Sequence, residues 1–321
     1  WENDEKSLPT CLVGNAAIYE RIDAAVGPST RARLHALGAG YPAARPRQDA
    51  DGLLPALGPF VRESRGEYEI EYAMALALLA RAANPTFSEE LVAIFDGFDT
   101  FPAPSKAFGR MRNKLESATE HGGCETPRAA ENADVLRLGV VLDAPEDFEE
   151  ALAVLRRSYA ILRVKSSHDA VAPSYRSLLV NFRYASTRAL ADVVGSHDDD
   201  LGQAWKDHCE TLPEPRHWRY ALNSLHRLAA ARPAPAIALA AEVQFVLRPY
   251  YAEGRTRSHL LFKIARAATP GEMVRDFSQG LEPIRLPSGP IDHRSSRDPQ
   301  PRTQSRRLLE QIHNFRARAL D

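Results

Sequence analysis

The sequence predicts a chain of the α/β class: a mixed β-sheet flanked by helices, preceded by a helical N-terminal region. Three observations predict it. Apolar residues recur at three- and four-residue spacings from Ala16 to about Phe98, and four short segments rich in Val, Ile, Leu and aromatics lie between Asp134 and Val246. An amphipathic stretch, APEDFEEALAVLRR, separates the first two of those segments. A strand, helix, strand, strand order of this kind calls for helices packed on a mixed sheet.

In chain order, helical periodicity is carried by Ile18, Ile22 and Val26, then by Met74, Leu78 and Leu79, then by Leu91, Ile94 and Phe95. The expected breaks are Gly27-Pro28, the Pro/Gly/Asp-rich stretch from Gly40 to Gly58, and Asn84-Pro85, with Ser88 ahead of Glu89 and Glu90 as a helix start. Phe101 to Ser105 marks a boundary, and the basic run KAFGRMRNKLESATEH beyond it is expected on a helix. Strands are expected over Asp134–Leu142, Tyr159–Lys165, Leu178–Tyr184 and Ala240–Leu247. In the helix between the first two, Pro145 suits the first position, acids fill the first turn, Phe148, Leu152 and Leu155 share a face, and two arginines close it. A helical excursion from Ala204 to Arg232 precedes the last strand. From Pro283 to Arg307 the chain is Pro, Arg, Ser and Asp, a linker or surface strap, and Arg306 to Leu320 forms a last short helix that docks on the body or binds a partner. The expected division is a helical region over 1–100, a sheet domain over 101–270 and a flexible extension over 271–321.

Composition narrows the function. With 41 Lys+Arg against 42 Asp+Glu the net charge is -1, which excludes a protein that coats long nucleic acid by general electrostatics, so any phosphate recognition must be local. Cys11, Cys124 and Cys209 form no CxxC pair, which leaves no disulfide framework or structural zinc site and points to a reducing, cytoplasmic setting. No apolar run is long enough for a membrane span; Tyr72 to Ala83 is broken by Arg81 and reads as a buried helix. The opening WENDEKSLPT lacks both a methionine and the pattern of a signal peptide, so the chain reads as a piece of something longer. No GxxxxGK[ST], GxSxG, or GxGxxG after a strand occurs. His197-Asp198 and His168-Asp169 carry the letters of an HD hydrolase motif without its accompanying helices.

Five features do carry chemistry, and they follow in one order. They are the basic helix start Gly109-Arg110-Met111-Arg112-Asn113-Lys114; the acid-led Asp134-Val135-Leu136-Arg137; the strand end Arg163-Val164-Lys165; Ser174-Tyr175-Arg176-Ser177-Leu178; and Glu242-Val243-Gln244-Phe245, trailed by Ser258-His259-Leu260-Leu261-Phe262-Lys263. Together, over Ala107 to Arg266, they resemble the RelA/SpoT-type alarmone synthetase domain, a nucleotidyltransferase-like fold that moves pyrophosphate between nucleotides. The resemblance implies ATP and a GDP or GTP acceptor as partners. It further implies Asp134 and Glu242 as catalytic residues and Mg²⁺ ligands, and Arg110, Arg112, Lys114, Arg137, Lys165, Gln244, His259 and Lys263 as nucleotide-binding residues. Tyr175 takes the place of the family's base-stacking tyrosine, a contact worth about 1–3 kcal/mol.

Physical chemistry supports the set independently. Pyrophosphoryl transfer needs hard oxygen ligands to hold Mg²⁺ against phosphates, and carboxylates on neighbouring strands supply them. Arg110 and Lys114, four apart, share a helix face near an N-terminus that attracts phosphate. Blander readings stand beside each: Asp134 or Glu242 pairs with an arginine, Lys114 pairs with Glu116 or Glu120, Lys165 is a surface lysine, Tyr175 closes the core, and His259 and Lys263 belong to a helix surface. The sequence also departs from the family. Arg112 stands in the place of lysine, Ser174 of glycine, Leu179 of histidine and Phe262 of tyrosine; Arg137 follows the acid by three positions; and Ser196 to Arg232 is an insertion. Two alternatives therefore remain: a nucleotide-sensing or interaction module without transferase activity, and a toxin-like relative acting on adenosine nucleotides or tRNA.

Overall fold

The computed structural model describes residues 7–48, 67–106, 108–116, 121, 123–170, 175–196, 215–231 and 236–254. His259, Lys263, Ser174, residues 197–214 of the Ser196–Arg232 insertion, the extension and its C-terminal helix lie outside the described residues.

Helix α1 (Ser7–Val26) ends where expected, because Gly27 takes φ +80°, a left-handed conformation that suits glycine, and Pro28 then opens α2 (Pro28–Ala36). Helix α3 runs unbroken over Glu67–Ile94, with Pro85 inside it. Here the expected break at Asn84-Pro85 and the expected start at Ser88 are both corrected. A proline in a helix interior costs about 3 kcal/mol, yet the helix is buried on both sides of it, through Leu76, Leu79 and Ala83 before and Phe87, Leu91 and Phe95 after, and the later part is pinned to the sheet. Phe87 packs on Phe182 and Tyr184, with ring centroids 6.4 and 5.1 Å away, and Phe95 on Phe245 at 5.7 Å. Tertiary burial outweighs the local penalty.

A short strand β1 (Asp99–Pro102) follows, then α4 (Phe108–Glu116), a 3₁₀ turn over Arg128–Glu131, β2 (Arg137–Leu142), α5 (Asp147–Ser158), β3 (Ile161–Ser166), β4 (Leu178–Ala189), α6 (Leu190–Ser196), α7 (Pro215–Ala231), β5 (Ala236–Leu247) and α8 (Arg248–Glu253). The expected α5 is present with Phe148, Leu152 and Leu155 buried. It starts at Asp147 rather than Pro145, and the Asp147 carboxylate accepts from the backbone N–H groups of Asp143 and Ala144. The strand β1 falls where FPAPS read as a boundary. Its Pro102 has no N–H to donate, which confines it to an edge.

The sheet is mixed, in the order β1-β2-β5-β4-β3, with β2 and β5 parallel and the other three pairs antiparallel. Its two faces differ. Leu138, Val140, Val180, Phe182, Tyr184, Val243 and Phe245 are buried on the face that α3 covers. On the opposite face, alternation places Arg137, Gly139, Leu179, Arg183, Glu242, Gln244 and Arg163 half-buried and Lys165 exposed. Gln48 completes an edge of the ladder. Its side-chain amide donates to Ala240 O (2.9 Å) and Asn132 O (2.7 Å), and its carbonyl accepts from Ala240 N (2.8 Å). Strand β2 begins only opposite Glu242, so Gln48 satisfies the backbone of β5 where no strand does. No helix among the described residues is long and apolar enough to cross a membrane.

Candidate functional site

The register of four strands builds a polar row across the half-open face. Arg137 is opposite Glu242, Glu242 opposite Asn181, and Asn181 opposite Arg163. Cross-strand partners share a face, so the four side chains stand side by side. Two residues further along the same face lies a second row, Gly139, Gln244, Leu179 and Lys165. Glu242 accepts a 3.3 Å hydrogen bond from Asn181 Nδ2. Glu242 lies within β5 rather than at its start, and Asp134 occupies the turn before β2, three residues short of the strand that was expected to open on it.

Asp134 is held by two lysines. Lys106 Nζ donates to its Oδ1 at 2.6 Å, and Lys114 Nζ lies 3.7 Å from its Oδ2. Lys106 is buried in the segment between β1 and α4, where its backbone N–H is bonded to Val135 O. Lys114 reaches the same carboxylate from the last turn of α4, whose Phe108, Met111 and Leu115 are buried. The Glu242 amide bonds Leu136 O, which ties the Glu242 position to the chain that leaves Asp134.

Electrostatics separates the two acids. Burial works to raise the Asp134 carboxyl, but the Lys106 and Lys114 charges outweigh it and hold the group well below the ordinary carboxylate range. For Glu242 burial prevails, with the nearby Asp134 charge adding to it and Arg137 opposing, so its carboxyl is pushed up toward protonation. Burial pulls Lys106 below the usual ammonium range against the stabilising Asp134 charge. Two carboxyl groups pushed in opposite directions, among cations, form the pattern by which proton acceptors and fixed charges are told apart in catalytic sites.

Of the residues expected to bind nucleotide, Arg137, Gln244 and Lys165 lie on the half-open face with Glu242. Arg110 and Arg112 are half-buried on α4, the helix that also supplies Lys114. Tyr175 stands elsewhere. Its ring fills the space beside Gly254, where a Cβ would come within 2.6 Å of Cε2, and burial, together with Tyr19 and Tyr251, raises its hydroxyl above the ordinary tyrosine range.

The segment that carries Tyr175 is anchored by its neighbour. Arg176 is buried, donates through Nε to Asp23 Oδ1 (2.8 Å) and through NH1 to the carbonyls of Ser167 (2.9 Å) and Ala170 (2.8 Å), and pairs with the other Asp23 oxygen through NH2. The Tyr250 hydroxyl also donates to Asp23. Around this pair, Tyr19 stacks on Tyr250 at 6.3 Å, and the buried His168 meets Phe148 and Tyr250 edge-on at 5.7 and 6.2 Å.

Sequence reasoning missed Lys106, Asn181 and the site role of Arg163. Lys106 opens the basic run already singled out, so composition held its signal; Asn181 gains meaning only once the β4–β5 register is known.

Two carboxylates fit a hard divalent cation in donor type, since their like charges oppose each other and a cation between them would relieve that opposition. No group of three or more His, Cys, Asp or Glu with metal-ligand spacing exists among the described residues. No protein-family model matches the chain, and no curated protein matches it. A solved structure, smu.1046c from Streptococcus mutans UA159, aligns over 70% of this chain and 85% of that one at 13% identity and a TM-score of 0.30, too slight a likeness to define a shared fold.

Proposed function

We propose that the half-open sheet face transfers pyrophosphate from ATP to the 3′-hydroxyl of a nucleotide, as the RelA/SpoT-type resemblance implies. The observation that supports this most is the row Arg137–Glu242–Asn181–Arg163 beside an Asp134 held ionised by Lys106 and Lys114. Asp134 and Glu242 would hold Mg²⁺, which would neutralise the negative charge that builds on the α–β bridging oxygen as AMP departs. Arg137 and Arg163, at either side of Glu242, offer planar guanidinium donors to the polyphosphate, and Arg110, Arg112 and Lys165 extend the cationic surface. The acceptor hydroxyl forms a new bond to the β-phosphorus, the bond from that phosphorus to the α–β bridging oxygen breaks, AMP leaves, and the hydroxyl proton passes to the Glu242 carboxylate. Transfer is tested by incubating the protein with γ-labelled ATP and, in parallel, GDP, GTP, ADP and tRNA. Wild type is expected to label one acceptor and Glu242→Gln to label it at least about 10²-fold more slowly, the scale of losing one group that acts on the transition state. Undiminished transfer by the variant, or no labelled acceptor from wild type, would refute the reading.

The placement of Tyr175 against Gly254 favours a second reading, in which the face binds a nucleotide without transferring from it. Calorimetric ATP binding without any labelled product would select it.

A further inference from the structure

The half-open face is graded along its strands, and the grading gives a bound nucleotide a direction. Its first row is charged: Arg137, Glu242, Asn181 and Arg163. The second row runs from Phe101 on β1 through Gly139, Gln244 and Leu179 to Lys165. Beyond it, Val141 and Val246 pair on the same face and are buried, at 1% and 2% exposure, where α8 packs on β2 and β5. Charge therefore lies at one end of the face and apolar surface at the other, with a mixed row between them.

A gap opens in the mixed row at Gly139. Apart from its chain neighbours, the only described atoms within 4 Å of a Cβ placed there are Phe101 Cβ and O, both at 3.7 Å, an ordinary contact. Gly139 does not take the left-handed conformation of Gly27, Gly40 and Gly97, and it is paired regularly with Phe101 and Gln244. Glycine weakens a strand interior and marks a place where a ligand or another backbone comes close; here no backbone presses on the position, and solvent reaches Gly139, Gln244 and Leu179 alike. Phe101 walls the gap on the β1 side, with the Tyr251 ring of α8 4.5 Å from its own. Gln244 walls it on the β5 side, and its amide has no hydrogen-bond partner among the described residues. An aromatic wall and a planar amide that both donates and accepts suit a flat heterocycle, because a nucleobase stacks on rings and presents donors and acceptors at its edge.

We propose that the Gly139 gap seats the base of a nucleotide, with Phe101 and Tyr251 as its aromatic wall and Gln244 reading its edge, while the phosphates run across the strands toward Arg163 and Lys165. From β2 to β3 the sheet crosses three strand spacings of about 4.8 Å, so Gly139 and Lys165 stand about 14 Å apart, a span that suits a nucleoside polyphosphate laid across the sheet. The inference rests on the reading of this face as a nucleotide site and needs no transfer chemistry. It gives to Phe101 and Tyr251 the stacking role that the resemblance assigns to Tyr175, whose ring lies against Gly254.

Isothermal titration of ATP, GDP and sodium pyrophosphate, each without divalent cation and at constant ionic strength, tests it. Gly139→Ala adds a methyl at ordinary contact distance from Phe101, and Gly139→Val fills the gap further with a residue that favours strands, so both are expected to keep at least the wild-type urea midpoint. Gly139→Val is expected to bind ATP or GDP about 10-fold more weakly, within the range of a lost base stack, with Gly139→Ala between it and wild type and pyrophosphate affinity unchanged in both. Gln244→Leu, which leaves the gap open and removes the edge contact, is expected to weaken the same nucleotide and to spare pyrophosphate. The nucleotide that is weakened identifies the base. Nucleotide affinity unchanged in Gly139→Val, pyrophosphate and nucleotide weakened together, or no nucleotide binding by wild type overturns the proposal. Should Gly139→Val fail to fold, Gly139→Ala and Gln244→Leu decide it by the same readings. Transfer measured on the same samples separates the two readings: a wild type that binds nucleotide through Gly139 yet labels no acceptor loses the transferase and keeps the base site, whereas full transfer by Gly139→Val with unchanged nucleotide affinity does the reverse.

Discussion

Removing Asp23 should destabilise the fold more than removing most surface carboxylates, because Asp23 is the counter-charge of a fully buried arginine. The carboxylate, 8% exposed, accepts two bonds from Arg176 and one from Tyr250, with Arg31 3.5 Å away on its solvent side. In Asp23→Ala the guanidinium keeps its bonds to the Ser167 and Ala170 carbonyls but loses both charge-assisted ones, and the Tyr250 hydroxyl loses its acceptor. Breaking a buried ion pair from one side costs about 3–5 kcal/mol. That is between a fifth and the whole of a typical domain stability of about 5–15 kcal/mol. Urea unfolding followed by circular dichroism gives the loss, and the variants Arg176→Met and Asp23→Leu/Arg176→Met complete a cycle. The double variant should lose less than the sum of the singles, because no buried charge is left alone. A loss below about 1 kcal/mol for Asp23→Ala, or singles that simply add, would refute the buried-pair argument.

Two further outcomes follow from other buried polar groups. Burial pulls the His168 imidazole from 6.5 down to about 4, so its contribution is fully present above pH 6.5 and is lost as pH falls toward 4, about 3 kcal/mol over the window; acid unfolding monitored by fluorescence should move to lower pH in His168→Phe. Gln48→Ala leaves the Ala240 N–H and C=O without their side-chain partner, at about 2–6 kcal/mol for two buried backbone groups, and hydrogen exchange should show the Ala240 amide losing protection while the Phe245 amide keeps it.

The sheet was legible in the sequence because one of its faces is apolar along every long strand. Val180, Phe182 and Tyr184 alternate with Asn181 and Arg183, and a period of two survives any uncertainty about partners. Strand β1 was not legible, since a four-residue edge containing Pro102 carries no alternation. The run of α3 through Pro85 was misread because the forces that hold it, Phe87 on β4 and Phe95 on β5, come from residues some 90 to 150 positions later in the chain. The site divides in the same way. Asp134, Arg137 and Glu242 could be singled out from motif spacing, but Asn181 and Arg163 join them only through register, and Lys106 only through the path of the turn before β2. Gln48 lies in a stretch whose composition signals a loop and nothing more; its docking at β5 is a contact 192 residues apart in sequence.

The polar row itself opposes folding, and this gives the functional reading a test that does not depend on finding the substrate. An interior strand position flanked on both sides by paired strands would be more stable with an apolar residue. At Glu242 burial and the Asp134 charge both favour the protonated form, against Arg137 and Asn181. With its folded pKa raised above the unfolded 4.5, the group's favourable contribution is complete below the unfolded carboxylate range and is lost as pH rises through the folded value. Ionising Glu242 therefore works against the fold. Glu242→Gln keeps the shape and an acceptor for Asn181 while removing that charge, so it should match or exceed wild type in urea midpoint at pH 7, and the difference should vanish near pH 4. A structural glutamate gives the opposite sign: if its ionised form were needed by Arg137, the glutamine variant would lose stability at pH 7 and the functional assignment of the row would lose its basis. A residue whose removal stabilises the fold and stops transfer would be one kept for its chemistry.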